Sequence, residues 1–126
     1  RQENPRIFRN RLQETGTLSF RDVSNAALPP NWSTGADNYE QEMGDFDGDG
    51  DLDIYGLNWP GFNDSMLQNN GSMVFTQIQV LPNSGADDNE GDFLDYDRDG
   101  DLDLYVANFS GLDKLYRNDT GNGVMS

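Results

Sequence analysis

Apolar residues occur along this chain in short runs, separated by turns that are rich in Gly, Asn, Asp and Ser. The runs contain β-branched and aromatic residues and are bounded by Gly, Pro and Asn, which is typical of β-strands. In the run 52–58, Leu52 and Ile54 fall on one pleated face, whereas Tyr55 and Leu57 fall on the other. Because a sheet with one solvated face alternates more strictly, this pattern predicts sheets that are stacked face to face.

The runs repeat along the chain at an offset of fifty residues. Between 45–59 and 95–109, nine of the fifteen positions are identical. Downstream, 66–69 corresponds to 115–118 with one residue of slippage, and 7–10 is an earlier copy of the same piece. Self-similarity at a fixed period of this size is typical of repeat architectures.

One unit of this repeat contains four predicted strands, at about 39–46, 52–58, 66–68 and 74–78. A four-stranded unit of about 50 residues is the size of a β-propeller blade. We therefore predict an all-β fold of propeller-type blades, each with four antiparallel strands, and about two and a half repeats in this chain.

The repeat also predicts how the chain is divided. Residues 1–30 supply the last two strands of a first blade, 31–82 form a complete second blade, and 83–126 supply the first three strands of a third. An open array of this kind leaves unpaired strand edges, so we expect further blades or self-association. Five aromatic residues are expected to fill the spaces between blades: Phe20, Trp32, Trp59, Phe75 and Phe109.

The most acidic stretches are two loops, 45–53 and 95–103, which both read D-x-D-x-D-G-D-L-D. Five carboxylates within nine residues repel one another unless a cation lies among them, and Ca²⁺ takes six to eight oxygen ligands. Gly50 and Gly100 permit the sharp turn that this requires. We predict two Ca²⁺ ions per chain, with Asp51 and Asp101 contributing backbone carbonyls. The predicted metal residues are Asp45, Asp47, Asp49, Asp51, Asp53, Asp95, Asp97, Asp99, Asp101 and Asp103.

Two other interpretations of these loops are weaker. A solvated acidic run is the usual meaning of clustered acids, but the spacing, the glycine and the leucine all recur here. Leu52 and Leu102 are expected to anchor the loops to a core. An EF-hand needs a Glu at position 12 and a helix on each side, whereas that position holds Gly56 or Val106 and strand-like sequence follows.

Composition narrows the functional classes. The net charge of −15 argues against nucleic acids and anionic membranes as partners. The chain contains no Cys and no His, so thiol chemistry and the usual general base are absent. No apolar run approaches the roughly 20 residues of a membrane helix, and no membrane insertion is expected. The dense carboxylates have a metal role, so we do not expect an enzyme.

At this point the residues resemble a known family, the FG-GAP/VCBS repeat of integrin-α-like propellers and many secreted proteins. The family's pattern is matched by 44–55 followed by 66–70, and again by 92–108 followed by 114–118. The resemblance implies that each loop binds Ca²⁺ and ties together the first two strands of a blade. Family propellers usually close with about seven blades, so this chain differs in its number of repeats.

The expected function is an extracellular calcium-binding module that acts as a structural or adhesive scaffold for protein interaction. Loops of this ligand type suit the millimolar calcium outside cells, so we expect a secreted or cell-surface location. One alternative is a glycan-binding, lectin-like propeller, in which Trp32 or the turn 59–64 contacts a sugar. Another is a non-catalytic segment of a larger secreted propeller enzyme. For the expected function and its alternatives, the expected partner is a protein or a glycan at the cell surface or in the matrix.

A third acidic stretch, 87–90, has two interpretations. It is acidic enough to suggest another cation site. Its counterpart 37–40 keeps only two acids, which favours a solvated turn.

Overall fold

A computed structural model describes residues 5–30, 32 and 38–126, with the side chains of residues 38 and 39 excepted. Its elements are short strands and two helical turns. In chain order they are β1 (Phe8–Asn10), α1 (Leu12–Thr15), β2 (Phe20–Asp22), α2 (Ser24–Ala27), β3 (Asn38–Gly44), β4 (Asp53–Asn58), β5 (Ser65–Asn69), β6 (Phe75–Val80), β7 (Asp88–Leu94), β8 (Asp103–Asn108) and β9 (Lys114–Tyr116).

The strands form three antiparallel sheets, each from consecutive strands. The first contains β1 and β2, the second has the order β3-β4-β5-β6, and the third has the order β7-β8-β9. Strand order therefore follows chain order, as in propeller blades. The predicted all-β fold with antiparallel blade-like sheets is confirmed.

The first two strands pair in the same register in the second and third sheets. Strand β3 pairs with β4 from Asn38↔Asn58 to Gly44↔Asp53, and β7 pairs with β8 from Asp88↔Asn108 to Leu94↔Asp103. Both pairings have a register shift two residues after their start. The acidic loops 45–53 and 95–103 thus join the first two strands of each sheet at equivalent places.

Strand β4, in the interior of the second sheet, is buried on both faces. Every residue of β4 is buried, as the apolar residues on both of its faces predicted. On one face, Ile54 packs in a cluster with Trp32, Leu67 and Phe75. On the other face, Tyr55 belongs to a larger cluster to which the third sheet contributes. That cluster consists of Phe46, Tyr55, Leu57, Met66, Leu81, Leu104, Val106, Tyr116 and Met125.

Sheets two and three approach closely where β7 packs against β3 and β4. Gly91 of β7 lies against the ring of Tyr55, and a Cβ at this position would overlap the ring. A glycine is therefore required for the two strands to be this close. Gly56 has the same relation to Trp32 on the opposite face, where an added Cβ would lie 2.5 Å from the indole.

Two of the five aromatic residues expected between blades are buried, namely Trp32 and Phe75. The prediction was wrong for Phe20, Trp59 and Phe109, which are 61%, 47% and 79% exposed. Trp59 and Phe109 follow the ends of β4 and β8, so they lie beyond the stacked part of the sheets. Phe20 belongs to the small two-stranded sheet.

The apolar anchors of the acidic loops also differ from the prediction. Leu102 packs against the larger cluster as expected, but Leu52 is 57% exposed, so its predicted anchoring role was wrong. The anchor of the first loop is Phe46, which is 1% exposed and lies 5.9 Å, centroid to centroid, from the ring of Phe93. Phe93 belongs to the third sheet, so a neighbouring sheet covers this position.

Candidate metal centre

The backbone of the first acidic loop is folded around its own carboxylates. The amide of Asp49 donates to Asp47 Oδ1 (3.2 Å), and the amide of Asp51 donates to Asp49 Oδ1 (2.9 Å). The amide of Gly50 donates to Asp45 Oδ2 across the loop (3.0 Å). Gly50 has a φ of +94°, a conformation that favours glycine. The chain therefore curls so that Asp45, Asp47 and Asp49 turn toward one centre.

The second loop repeats this arrangement. The amide of Asp99 donates to Asp97 Oδ1 (3.3 Å), and the amide of Asp101 donates to Asp99 Oδ1 (3.0 Å). Gly100, with a φ of +99°, donates to Asp95 Oδ2 (3.3 Å). Two sequences fifty residues apart thus form the same turn.

Three carboxylates converge in each loop. Asp45, Asp47 and Asp49 each offer an oxygen, and these oxygens lie within 4.8 Å of one another. Asp95, Asp97 and Asp99 do the same in the second loop. Among the described residues, these are the two groups of three or more acidic side chains with ligand atoms this close. Oxygen ligands at this spacing suit a hard divalent cation.

A buried atom in the first loop supports the fit of a cation. Asp45 Oδ1 is buried and has no hydrogen-bond partner in the structure. A buried carboxylate oxygen without a partner is costly, and a cation at the centre of the loop would satisfy it. The residues present therefore fit the predicted ion.

The remaining loop aspartates, two in each loop, lie outside these converging groups. The carboxylate of Asp51 lies beside Gly71, and that of Asp101 lies beside Gly121. The contribution of the backbone carbonyls of Asp51 and Asp101 to a metal site stays a prediction.

Asp53 is completely buried and ties the loop to the sheet. Its Oδ2 accepts a hydrogen bond from the amide of Phe46 (3.2 Å), and its Oδ1 accepts one from the amide of Asn69 (2.7 Å). Asp103 repeats both bonds with the amides of Tyr96 (3.0 Å) and Asn118 (2.9 Å). A carboxylate has about four acceptor sites, so a cation ligand remains compatible with these bonds.

Sequence reasoning identified Asp53 and Asp103 as candidate ligands but missed this structural tie. The signal was present, because Asn69 and Asn118 recur at the end of the third strand of each unit. Burial, chiefly, together with the neighbouring carboxylates of Asp47 and Asp49, raises the pKa of Asp53 to about 6, against the lowering effect of the two hydrogen bonds from backbone amides. A cation bound in the loop would have the opposite effect and would favour the ionised form of Asp53.

The two loops differ in the side chain that faces them from the third strand. Gln68 donates its Nε2 hydrogen to Asp47 Oδ2 in the first loop. In the second loop, Arg117 takes the corresponding place and pairs with Asp97 Oδ2 at 2.8 Å. The second triad is also more exposed than the first. The guanidinium of Arg117 therefore partly neutralises the negative charge of the second loop.

The other sites predicted from sequence lie elsewhere. In the turn proposed for sugar binding, Trp59 and Phe62 are 47% and 43% exposed, and Phe62 borders a cleft with Trp32. In the stretch 87–90, the favoured interpretation of a solvated turn was wrong, because Asp88 begins β7 and is 3% exposed. The local acidity of this stretch could not show that a neighbouring sheet covers it.

No helix in the described parts of the chain is both long enough and apolar enough to span a membrane. Residues 45–106 match the family model of the FG-GAP-like repeat. The matched segment begins with the first acidic loop, includes the second, and ends within β8. No curated protein and no solved structure matches the chain.

Proposed function

The chain contains an FG-GAP-like repeat across residues 45–106, and from this premise we propose that it is an extracellular calcium-binding module. Its role is that of a structural and adhesive scaffold for protein interaction. Each acidic loop holds one Ca²⁺ ion, so the chain holds two. The ions stiffen the connection between the first two strands of each blade.

The observation that carries this proposal is the convergence of three carboxylates in each loop. In the first loop, one of these groups has a buried oxygen, Asp45 Oδ1, without a hydrogen-bond partner. All the available ligands are oxygens, and the chain has no Cys or His. This ligand set favours Ca²⁺ over softer transition metals.

We expect the first loop to bind calcium more tightly than the second. Calcium must compete with Arg117 for Asp97, whereas the corresponding partner in the first loop is the neutral Gln68. Arg117 is 45% exposed, so solvent weakens the competing ion pair. The difference in affinity should therefore be modest, within about tenfold.

The extracellular location follows from the expected range of affinity. Sites in extracellular modules typically have dissociation constants of about 10⁻⁴–10⁻³ M, which match millimolar calcium outside cells. At that calcium concentration, a site with a dissociation constant of about 10⁻⁴ M stabilises the fold by roughly 1–2 kcal/mol. Two such sites contribute substantially to the stability of a chain of this size.

An exposed sheet face supports the role in interaction. In the second sheet, Tyr55 and Met66 are completely buried, because the third sheet covers them. Their counterparts in the third sheet, Tyr105 and Leu115, are 39% and 43% exposed. A further blade, from the same polypeptide or from a second copy, would cover this face in the same way.

Thermal unfolding in calcium and in EDTA tests the proposal. We expect millimolar calcium to raise the midpoint by about 5 °C or more. The double variant Asp47→Asn/Asp97→Asn should lose this increase. Asp92→Asn, which removes a charge from an exposed position of β7, should keep it. Identical melting curves of the unmodified chain in calcium and in EDTA would rule the proposal out.

A second candidate function, glycan binding, is favoured by the cleft beside the β4–β5 turn. Aromatic and amide side chains line it, as is common where proteins contact sugars. The lining includes Trp32, Phe62, Asn63 and Gln77. Binding to a glycan array that is lost in Phe62→Ala, but retained in Phe109→Ala, would support this function over protein adhesion.

A further inference from the structure

Two carboxyl groups meet at the interface between the second and third sheets. Asp64 immediately precedes β5 and is completely buried. Asp88 is the first residue of β7 and is 3% exposed. Neither residue belongs to an acidic loop, and neither has a role in the proposed calcium sites.

Asp64 is held firmly in place by the second sheet. Its Oδ2 accepts a hydrogen bond from the hydroxyl of Tyr55 (2.6 Å), and its Oδ1 accepts one from the amide of Asn58 (2.9 Å). Its own amide donates to Ser84 Oγ (2.7 Å), in the segment that leads to the third sheet. The carboxyl group therefore has a fixed orientation at the interface.

Asp88 has no comparable support. Both of its carboxylate oxygens are buried, and neither receives a hydrogen bond of normal geometry from an N–H or hydroxyl group. The group that faces it is the carboxyl of Asp64. Two ionised carboxylates in contact and away from water repel each other strongly, whereas one proton between them forms a hydrogen bond.

We propose that Asp64 and Asp88 share one proton, which joins the second sheet to the third. Asp64 carries the proton and donates a hydrogen bond through it to Asp88, which remains ionised. The proton satisfies an oxygen of Asp88 that otherwise has no partner. The interface between these sheets is therefore sensitive to pH near neutrality.

The surroundings of the pair explain which member is protonated. Burial, chiefly, and the contact with Asp88 raise the pKa of Asp64 to about 7. Burial also raises the pKa of Asp88, but the hydrogen bond with Asp64, the Lys114 ammonium and the Asn108 side chain oppose this, while Asp87 adds to it. The pKa of Tyr116, on β9, is raised to about 12 by burial and by the two carboxyls, so Tyr116 remains neutral.

The third sheet contains a counterpart of Asp64, namely Asp113. This residue accepts the same two kinds of hydrogen bond but is not part of a carboxyl pair. The hydroxyl of Tyr105 donates to Asp113 Oδ2 (2.6 Å), and the amide of Asn108 donates to Asp113 Oδ1 (3.0 Å). Asp113 is exposed, and these hydrogen bonds lower its pKa. The support alone thus favours an ionised carboxylate, so burial at the interface beside Asp88 distinguishes Asp64.

The sign of the effect on stability follows from the pKa of Asp64. An unfolded Asp titrates near 3.9, well below the value of about 7 in the folded chain. The stabilisation is complete below about pH 4 and is lost as the pH rises through about 7. Within that window, each pH unit raises the unfolding constant by up to about tenfold. Calcium binding requires ionised carboxylates and so changes with pH in the opposite sense.

The test is a carbon-13 NMR titration of the aspartate carboxyl groups in the full chain with two equivalents of calcium. We expect the Asp64 carboxyl carbon to titrate with a midpoint near 7. In Asp88→Asn, the repulsion from Asp88 is lost and the new amide can donate to Asp64, so this midpoint should fall clearly below 7, while burial keeps it above the ordinary value of an Asp. Asp113→Asn, the matched control, should leave the midpoint of Asp64 unchanged.

An infrared measurement on the unmodified chain keeps the test independent of any variant. In the chain with two equivalents of calcium, which would keep the loop carboxylate of Asp53 ionised, a protonated carboxyl band at pH 6 that disappears by pH 9 would support the shared proton. Completion of both aspartate titrations below pH 5, or a midpoint near 7 that survives in Asp88→Asn, would overturn it. A third equivalent of calcium that removes the midpoint near 7 would also overturn it, because the pair would then hold a cation.

Discussion

Asp49 and Asp53 are four residues apart in one loop, yet their carboxylates meet different demands. Asp49 is exposed and contributes an oxygen to the converging group. Asp53 is completely buried and accepts hydrogen bonds from two backbone amides. The first residue matters for a bound ion, and the second matters for the fold itself.

This difference gives a prediction for the chain without calcium. Asp53→Ala leaves two buried amides without acceptors, so we expect the free energy of unfolding in EDTA to fall by about 2–5 kcal/mol. Asp49→Asn retains an oxygen for the amide of Asp51 and removes a repelling charge. Its free energy of unfolding in EDTA should stay within about 0.5 kcal/mol of the unmodified chain or increase. Urea unfolding monitored by tryptophan fluorescence measures both.

The two variants should behave differently when calcium is added. Asp49→Asn should lose the part of the calcium-dependent stabilisation that the first loop contributes, because it removes a charged ligand of that loop. Equal loss of stability by both variants in EDTA would contradict the assignment of separate roles.

At the scale of elements, the close approach of two sheets depends on Gly91. A Cβ at this position would overlap the ring of Tyr55, which is completely buried and hydrogen-bonded through its hydroxyl to Asp64. The ring cannot move away without breaking that bond. The contact therefore fixes the distance between β4 and β7.

Gly91→Ala should consequently destabilise the chain by about 1–3 kcal/mol, the usual cost of overpacking. In Gly111→Ala, the nearest atom to the new Cβ is 3.4 Å away, so that control should stay within about 0.5 kcal/mol. Urea unfolding of both variants in saturating calcium provides the comparison. Similar stability of the two variants would show that the sheets are not packed in this way.

The strands themselves were predictable from the sequence. The predicted strands 39–46, 52–58, 66–68 and 74–78 correspond to β3, β4, β5 and β6, with small differences at their ends. Periodic apolar residues and turn residues are local signals, so one chain segment contains them. The helical turns α1 and α2 were not predicted.

Contacts between sheets were harder to predict. Phe46 and Leu52 are both apolar residues of one loop, but only Phe46 is covered by the third sheet. The sequence around Asp88 is that of a solvated acidic turn. The residue that faces Asp88 in the structure, Asp64, lies 24 positions earlier in the chain, so the local sequence could not indicate that Asp88 is buried. The carboxylates that converge in the loops were predictable because their spacing is local. Their ties to Asn69 and Asn118 depend on a strand that returns from farther along the chain.

At the scale of the whole molecule, Asn118 connects the two acidic loops. Its Nδ2 donates to the carbonyl of Phe46 in the first loop (2.8 Å) and to that of Leu102 in the second (3.3 Å). Its backbone amide donates to Asp103 Oδ1. Ordering one loop should therefore help to order the other.

We expect calcium to bind the two loops with positive cooperativity, with a coupling free energy of about 1 kcal/mol. Asn118→Ala should abolish the coupling. Asn69 makes the equivalent bonds to Asp53 and to the carbonyl of Leu52 within the first loop and its own sheet. Asn69→Ala should accordingly weaken binding at the first loop and leave the coupling intact. Calcium titrations of both variants, fitted with a two-site model, measure these effects, and a coupling that survives in Asn118→Ala would refute the connection.

The most direct test of the central claim is a calorimetric titration of calcium into the metal-stripped chain, with Asp47→Ala and Asp97→Ala measured beside it. We predict two sites in the unmodified chain and one in each variant, with the tighter site lost in Asp47→Ala. No heat of binding at millimolar calcium, or two sites that persist in both variants, would contradict the assignment of a calcium ion to each loop.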